Sequence, residues 1–308
     1  MSKAAPLIAA IEAGGTKFNV AIGTGPENIV AATRIDTLEP KSTLREVVQW
    51  IASACRTHGP IKAVGIGAFG PLDLDKKSES YGYITTTPKP GWQHVSLVEP
   101  LRTRFQVPVG LDTDVNAAAI GEHLWGAGQG IDPLVYVTVG TGIGGGVLIN
   151  GKPLHGLLHP EIGHLLVPPP LTKNVPVEGC HCPFHHSCME GYASGAAIAA
   201  RWGMRAEDIT ANHPAWEEVA TVIAAGMMNI TLALSPKRII LGGGVMKQPG
   251  LIDLVRSHTV RLLNGYITAQ RVLHEIDQYL VPPGLGDNAG LCGALALGME
   301  ALAGVEAK

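Results

Sequence analysis

At 308 residues, 46% hydrophobic and 16% charged, the chain has apolar material for two cores, which excludes an intrinsically disordered protein. A net charge of −3 with both signs dispersed, and 5% aromatic content, exclude a basic or base-stacking surface, so no nucleic-acid partner is expected. Met1-Ser2-Lys3 reads straight into a strand without a leader, and the apolar stretch 291–303 reads as too short to span a bilayer. No membrane partner and a cytoplasmic location are therefore expected.

Taken in order, Leu7–Ile11 reads as a buried strand, Glu12–Lys17 as a tight turn and Phe18–Ile22 as a returning strand. A third strand is expected over Ile29–Thr37, then a helix over Thr43–Thr57 capped by Ser42. Ile61–Ile66 is another buried strand, Tyr81–Gly91 a loop closed by Trp92, and Val95–Arg104 a short helix. Asp112-Thr-Asp114-Val-Asn116 follows at a strand end that opens into the helix Ala117–Trp125. Two carboxylates and an amide at that junction occupy the place where open α/β sheets present working groups.

Leu134–Val139, a Gly140–Gly146 turn and Val147–Ile149 repeat the strand–glycine turn–strand pattern of the N-terminus, which points to a duplicated fold with a cleft between the copies. Residues 155–190 are irregular. Helices are expected over Tyr192–Arg201, Pro214–Leu234 and Leu251–Leu262, with the strand Arg238–Leu241 turned by Gly242-Gly243-Gly244. A last apolar helix follows Gly284–Gly290.

Three glycine clusters thus follow buried strands. Glycine lets backbone approach a phosphate, and Thr hydroxyls and N–H groups donate to it, although each cluster alone reads equally as an ordinary turn. Gly140-x-Gly142-x-x-Gly145 matches a dinucleotide fingerprint in letters only, since a strand follows it. No cluster continues into the Lys-Ser/Thr of a P-loop. For Asp114 the competing reading is a helix cap, a role that suits Asp112 or Thr113 better; the residues alone leave the two carboxylates even. Three of the five cysteines lie in Cys180–Cys188, and that clustering favours metal over disulfides.

Glu12-Ala-Gly-Gly-Thr-Lys17, Gly65-Ile-Gly67 with Gly70-Pro71, Asp114-Val-Asn-Ala-Ala, Gly140-Thr-Gly-Ile-Gly-Gly-Gly146 and His159-Pro-Glu-Ile-Gly-His164 occur in the order seen in the ROK family of sugar kinases and repressors. The chain resembles that family from Ile11 to the Gly290 region. Its Thr87–Trp92 loop and Cys182–His185 cluster are similar to those of the zinc-containing bacterial ROK fructokinases. The resemblance implies an α/β, actin/hexokinase-like (ribonuclease H-like) duplicated two-lobe fold. Lobes are expected over 1–116, rejoined by 290–308, and over 117–289, with a zinc-binding loop at 159–190. It further implies ATP-dependent phosphorylation of a hexose, fructose first and glucose or mannose next, by a homodimer.

Carried over residue by residue, Asp114 is the general base. Asn116, Glu161, His164 and Glu190 belong to the sugar site. Gly14, Gly15, Thr16, Lys17, Gly140, Thr141 and Gly142 hold the nucleotide phosphates, and Gly243, Gly244 and Asn288 its adenosine side. Glu12 stands where most of the family has Asp, and its role toward Mg²⁺ stays open. For Zn²⁺, His164, Cys182, His185 and Cys188 form the expected tetrahedral set, with Cys180 as substitute because the family's cluster is a Cys-x-Cys-Gly-x-x-Gly-Cys run. His155, His159, His181 and His213 read as loop or surface residues. A non-catalytic sugar sensor is the alternative from another class. The intact Asp114 and the absence of an expected helix-turn-helix ahead of the first strand weigh against it, and four protein ligands leave a zinc hydrolase no open position.

Overall fold

The computed structural model describes residues 5–170 and 179–306, so the Met1–Lys3 start and residues 171–178 of the expected zinc loop lie outside the described residues. The chain forms two compact units. One holds Met1–Gly126, His155–His159 and Asn288–Lys308, the other Ala127–Leu154 and Pro160–Asp287.

The first unit comprises β1 (Ile8–Ala13), β2 (Lys17–Gly25), β3 (Asn28–Asp36), α1 (Pro40–His58), β4 (Ala63–Ala68), α2 (Glu99–Phe105), β5 (Val109–Thr113) and α3 (Asp114–Trp125). The second comprises β6 (Leu134–Val139), β7 (Ile143–Ile149), β8 (Lys152–Pro153), α4 (Met189–Ala193), α5 (Gly195–Trp202), α6 (Ala215–Leu234), β9 (Arg238–Gly242), α7 (Leu251–Leu263), α8 (Gln270–Leu273), α9 (Ile276–Tyr279) and β10 (Leu280–Val281). Helix α10 (Ala289–Glu306) returns to the first. The sheets have strand orders β3-β2-β1-β4-β5 and β10-β9-β6-β7-β8. In each, the first strand pairs antiparallel with the second and parallel with the fourth, so the repeated glycine hairpins stand at equivalent places in a duplicated topology.

Strands β1 and β4 read as continuous apolar runs because both their faces are covered. On one side Ile11, Phe18 and Ile66 pack with Val47 and Ile51 of α1. On the other, Ile8, Ala10 and Ala63 pack with Leu291, Ala294 and Leu295 of α10. Helix α10 lies backbone against backbone on its neighbours: a Cβ on Gly65 of β4 would overlap the Ala294 carbonyl and the Gly298 amide, and one on Gly293 would overlap the Ala117 carbonyl of α3. Overpacking a backbone contact of this kind costs about 1–3 kcal/mol or more. Gly65→Ala is therefore expected to lower the urea midpoint markedly, whereas Gly59→Ser, in open space at a positive φ of 98°, carries only backbone strain.

Several expected boundaries move. Helix α3 belongs with the first unit rather than starting the second at 117, because its small residues seat against α10. Helix α1 begins at Pro40, capped by Glu39, whose carboxylate accepts from the Ser42 amide at 3.1 Å; Pro suits the first turn, where no N–H is needed, so Ser42 is inside the helix and not its cap. Helix α2 starts only at Glu99 because Val95 and Ser96 pair with Ile84 and Tyr83. The helix expected over Tyr192–Arg201 is broken at Ser194, which is extended and caps α5 through Ala197 N. The segment read as too short for a membrane lies in a 20-residue apolar helix, Gly286–Val305; more than half of it is buried inside the protein, and its apolarity serves the core. Helix α6 is similar, with Trp216, Val219, Ile223, Met227 and Ile230 buried on the second sheet.

Candidate active site

In the first unit the β1–β2 turn holds Gly14, Gly15, Thr16 and Lys17, the last three exposed. The Gly14 amide donates to the Lys17 carbonyl at 3.0 Å. Thr37, which sequence reasoning did not single out, secures the turn from just past the end of β3: its hydroxyl donates to the Gly14 carbonyl at 2.8 Å and its amide to the Thr16 carbonyl at 2.9 Å. Glu12, the penultimate residue of β1, has its carboxylate accepting from Asn19 Nδ2 at 2.6 Å.

Strand β5 delivers the acidic stretch to the start of α3. Thr113 is the cap, its hydroxyl accepting from the Asn116 amide at 3.1 Å. Asp112 is buried and bridging: Oδ1 accepts from Thr113 N at 2.8 Å and from Asn116 Nδ2 at 2.7 Å, and Oδ2 lies 3.0 Å from His155 Nε2. With the cap and the bridge supplied by its neighbours, Asp114 is the first helical residue, partly exposed, with Val115 N donating to its Oδ1 at 2.9 Å. Crowding by protein pushes its carboxyl up to about 6, and the nearby Glu12 charge adds to the rise. A carboxylate poised there accepts a proton readily at neutral pH.

Asn116, expected in the sugar site, is fully buried with its amide tied to Asp112, behind the helix start and away from solvent. His155 and His159 lie in a loop, as expected, with His155 exposed at the surface, but both are engaged by partners and His159 is buried. His155 binds Asp112 and its imidazolium is held above the ordinary range by that hydrogen bond. His159 is buried and accepts from Leu72 N at 3.2 Å. These partners are 43 and 87 residues distant in sequence, beyond any local pattern.

In the second unit the Gly140–Gly142 turn is closed by Gly140 N donating to the Gly142 carbonyl at 2.9 Å, and Gly195 N at the start of α5 donates to the Gly140 carbonyl at 2.7 Å. Thr141 is exposed at its tip. Glu190, on α4, accepts from Ile143 N at 2.8 Å through Oε2, which fastens the far end of this turn. Its other oxygen lies 3.9 Å from His164 Nε2. Glu161 is exposed, immediately before the 3₁₀ turn Ile162–His164. After β9, Gly243 adopts a positive φ of 95° with its Cα packed on Val139, a conformation and a proximity that exclude a side chain, whereas Gly244 is exposed. Asn288 is exposed and falls in the first unit, at the head of α10.

His164, Cys182, His185 and Cys188 converge with one donor atom each, all within 4.8 Å of one another. Cys182 Sγ lies 3.3 Å from His185 Nδ1 and 3.8 Å from His164 Nδ1, and Cys188 Sγ lies 3.8 Å from His164 Nδ1. Ligand bonds of about 2.0–2.3 Å in a tetrahedron put donors about 3.3–3.8 Å apart, so these separations fit a metal. Burial lowers the pKa of His164, which favours the neutral, ligating imidazole, and pushes the Cys188 thiol up to about 12, so that only a cation draws out its proton at neutral pH. Cys180 Sγ is 3.7 Å from Cys188 Sγ but stands outside the set. His164 thus turns Nδ1 to the thiols and Nε2 toward Glu190, which at 3.9 Å is beyond direct hydrogen-bonding distance.

The ROK family model, described as "ROK family", matches residues 8–301. The chain is similar to the fructokinase of Zymomonas mobilis, with 44% identity over 297 residues that cover 94% of this chain and 96% of that one. It is 39% identical to the fructokinase of Pediococcus pentosaceus over 298 residues, 96% of this chain and 99% of the relative. Among solved structures, a ROK family glucokinase from Streptomyces griseus in complex with glucose and AMPPNP superposes with a TM-score of 0.72 at 27% identity, covering 96% of this chain and 99% of that one. The fold is α/β and actin/hexokinase-like, as in the ROK kinases. The chain belongs to the ROK family.

Proposed function

We propose that this protein is an ATP-dependent fructokinase that converts fructose to fructose 6-phosphate. The observation that carries the reading is Asp114: a partly exposed carboxylate at a helix start, its neighbours' side chains consumed in capping and bridging, its pKa pushed up to about 6. Relatives named fructokinase at 38–44% identity over most of their length favour fructose over other hexoses. Glucose or mannose is the second reading, favoured by the glucokinase neighbours.

In this reaction the 6-hydroxyl gives its proton to Asp114 as its oxygen attacks the γ-phosphorus, the bond to the bridging oxygen breaks, and ADP leaves. Gly14, Gly15, Thr16 and Lys17, with Gly140, Thr141 and Gly142, hold the phosphates. Gly243, Gly244 and Asn288 hold the adenosine side, and Glu161 and Glu190 accept from sugar hydroxyls. Mg²⁺ enters with the nucleotide as its counter-ion. Zn²⁺ is the metal that suits two imidazoles and two thiolates; held by His164, Cys182, His185 and Cys188 it has no open position and supplies rigidity rather than chemistry. His164 serves the sugar indirectly, by sharing an anchor with the segment that carries Glu190. Cytoplasmic residence and a homodimer complete the proposal; light scattering on a sizing column tests the dimer.

The test is a coupled ADP-release assay across fructose, glucose, mannose and N-acetylated hexosamines, with and without Mg²⁺. Fructose is expected to give the highest kcat/KM, and no turnover with any hexose overturns the reading. The same assay reads the base: kcat/KM should be level above about pH 6 and fall about tenfold per unit below it, as Asp114 takes up a proton. An acidic limb centred near pH 4 contradicts the assignment.

A further inference from the structure

The segment His155–His159 belongs to the first unit although the residues on either side of it belong to the second. Two histidines fasten it there in opposite senses. His159 Nε2 is an acceptor, taking the Leu72 amide at 3.2 Å, so its proton sits on Nδ1. His155 Nε2 is a donor, 3.0 Å from Asp112 Oδ2 and 3.2 Å from Oδ1. Asp112 is 3% exposed and carries the remaining bonds that fix the start of α3, from Thr113 N and Asn116 Nδ2. Asp112, Thr113 and Asn116 therefore form a closed ring of hydrogen bonds around the peptide that presents Asp114, and His155 is the side chain that completes the Asp112 carboxylate from outside the stretch. The His155 ring is 43% exposed and also lies 3.4 Å from Asn116 Nδ2, so its ring nitrogen meets both partners of the Asp112–Asn116 bond; Leu157 and Leu158 after it are 99% and 57% exposed, and within the segment it is His159 that is buried.

We propose that His155 is a positioning residue for the proposed base, holding Asp114 in its reactive orientation through Asp112. The proposal rests on the kinase reading above. With His155 absent, the buried Asp112 loses the donor on its outer oxygen and draws on Thr113 and Asn116 instead, which tilts the first turn of α3. Misplacement of a reacting group by about 1 Å costs roughly 10²-fold in rate.

The experiment is a double-mutant cycle on the intact protein, reading kcat, KM for fructose and ATP, and Tm. His155→Leu is expected to lower kcat about 10- to 100-fold, with KM for ATP within twofold and Tm little changed. His155→Gln, which keeps a donor near the position of Nε2, is expected to recover kcat to within a few-fold of wild type. Because His155 acts through Asp112, Asp112→Asn combined with His155→Leu should be no slower than the worse single variant. A His155→Leu enzyme with wild-type kcat, no rescue by Gln, or additive losses in the double variant overturns the proposal. Histidine ring NMR supplies a readout independent of turnover: the His155 resonance should titrate above the ordinary histidine range and drop toward it in Asp112→Asn. A wild-type protein that titrates in this way but phosphorylates no hexose refutes the kinase reading alone.

Discussion

Asp114→Asn is expected to cost about 10²–10⁴-fold in kcat while leaving a folded protein that melts higher than wild type at pH 7.5. The rate loss follows from removing the proton acceptor. The gain in stability follows from the environment of the carboxyl, raised in the folded chain from 3.8 to about 6 by crowding and by Glu12. A carboxyl with an elevated folded pKa imposes no ionisation penalty below pH 3.8. The penalty grows between 3.8 and about 6 and is complete above 6. Asparagine removes it, which is worth on the order of 1–2 kcal/mol at neutral pH once the partial exposure of the residue is discounted. Melting curves at pH 7.5 and pH 4, set beside steady-state kinetics, separate the two effects: the stabilisation should be present at the first pH and nearly gone at the second. A variant with near-wild-type kcat sinks the base assignment, and one that melts lower at pH 7.5 sinks the account of its environment.

Removing the metal proposed for the His/Cys cluster is expected to loosen the whole approach to Glu190. The thiols of Cys182 and Cys188 and ring nitrogens of His164 and His185 face one another within 4.8 Å, a gathering of polar donor atoms that a bound cation would hold together. His164 and the segment that carries Glu190 then lose a shared anchor, and Glu190 Oε2 accepts from Ile143 N at the Gly140 turn. Groups around a metal site matter about 10- to 100-fold in affinity or activity. Gentle purification should yield one zinc per chain by elemental analysis. Chelation, or Cys188→Ser, should raise KM for fructose about tenfold or more and strip amide protection from residues 179–193. Cys180→Ser should keep the zinc, since its sulfur stands outside the four-donor set. Zinc-free protein with unchanged kinetics would falsify the cluster as a support of the sugar site.

The legible parts were those written in local chemistry. Continuous apolar runs ended by Gly-Gly-Thr or Gly-Thr-Gly announced β1–β2 and β6–β7, because a buried strand and a tight turn each demand particular residues within a few positions. The convergence of the four His/Cys donor atoms was legible for the same reason: three of the residues fall between positions 182 and 188, and His164 lies in a recognisable motif. Helix starts were legible less well. Pro40 and Glu39 outcompeted Ser42, and of the two expected cap candidates before α3, Asp112 and Thr113, it is Thr113 that caps, because several adjacent residues were each chemically able to cap and only packing chose among them.

What the sequence by itself determined, then, was the duplicated α/β plan, the glycine turns, the donor cluster and the pair of carboxylates at the β5–α3 junction. Only the tertiary structure gave those carboxylates different surroundings, by burying Asp112 under His155 and Asn116 and leaving Asp114 at the helix start. It also withdrew Asn116 from solvent, put His159 under Leu72, and turned the apolar C-terminus into the core helix on which β4 and α3 rest. The reason is distance along the chain: periodicity and turn chemistry act over a few residues, whereas a buried carboxylate is defined by partners such as His155, 43 residues away, that only the folded chain brings within hydrogen-bonding reach.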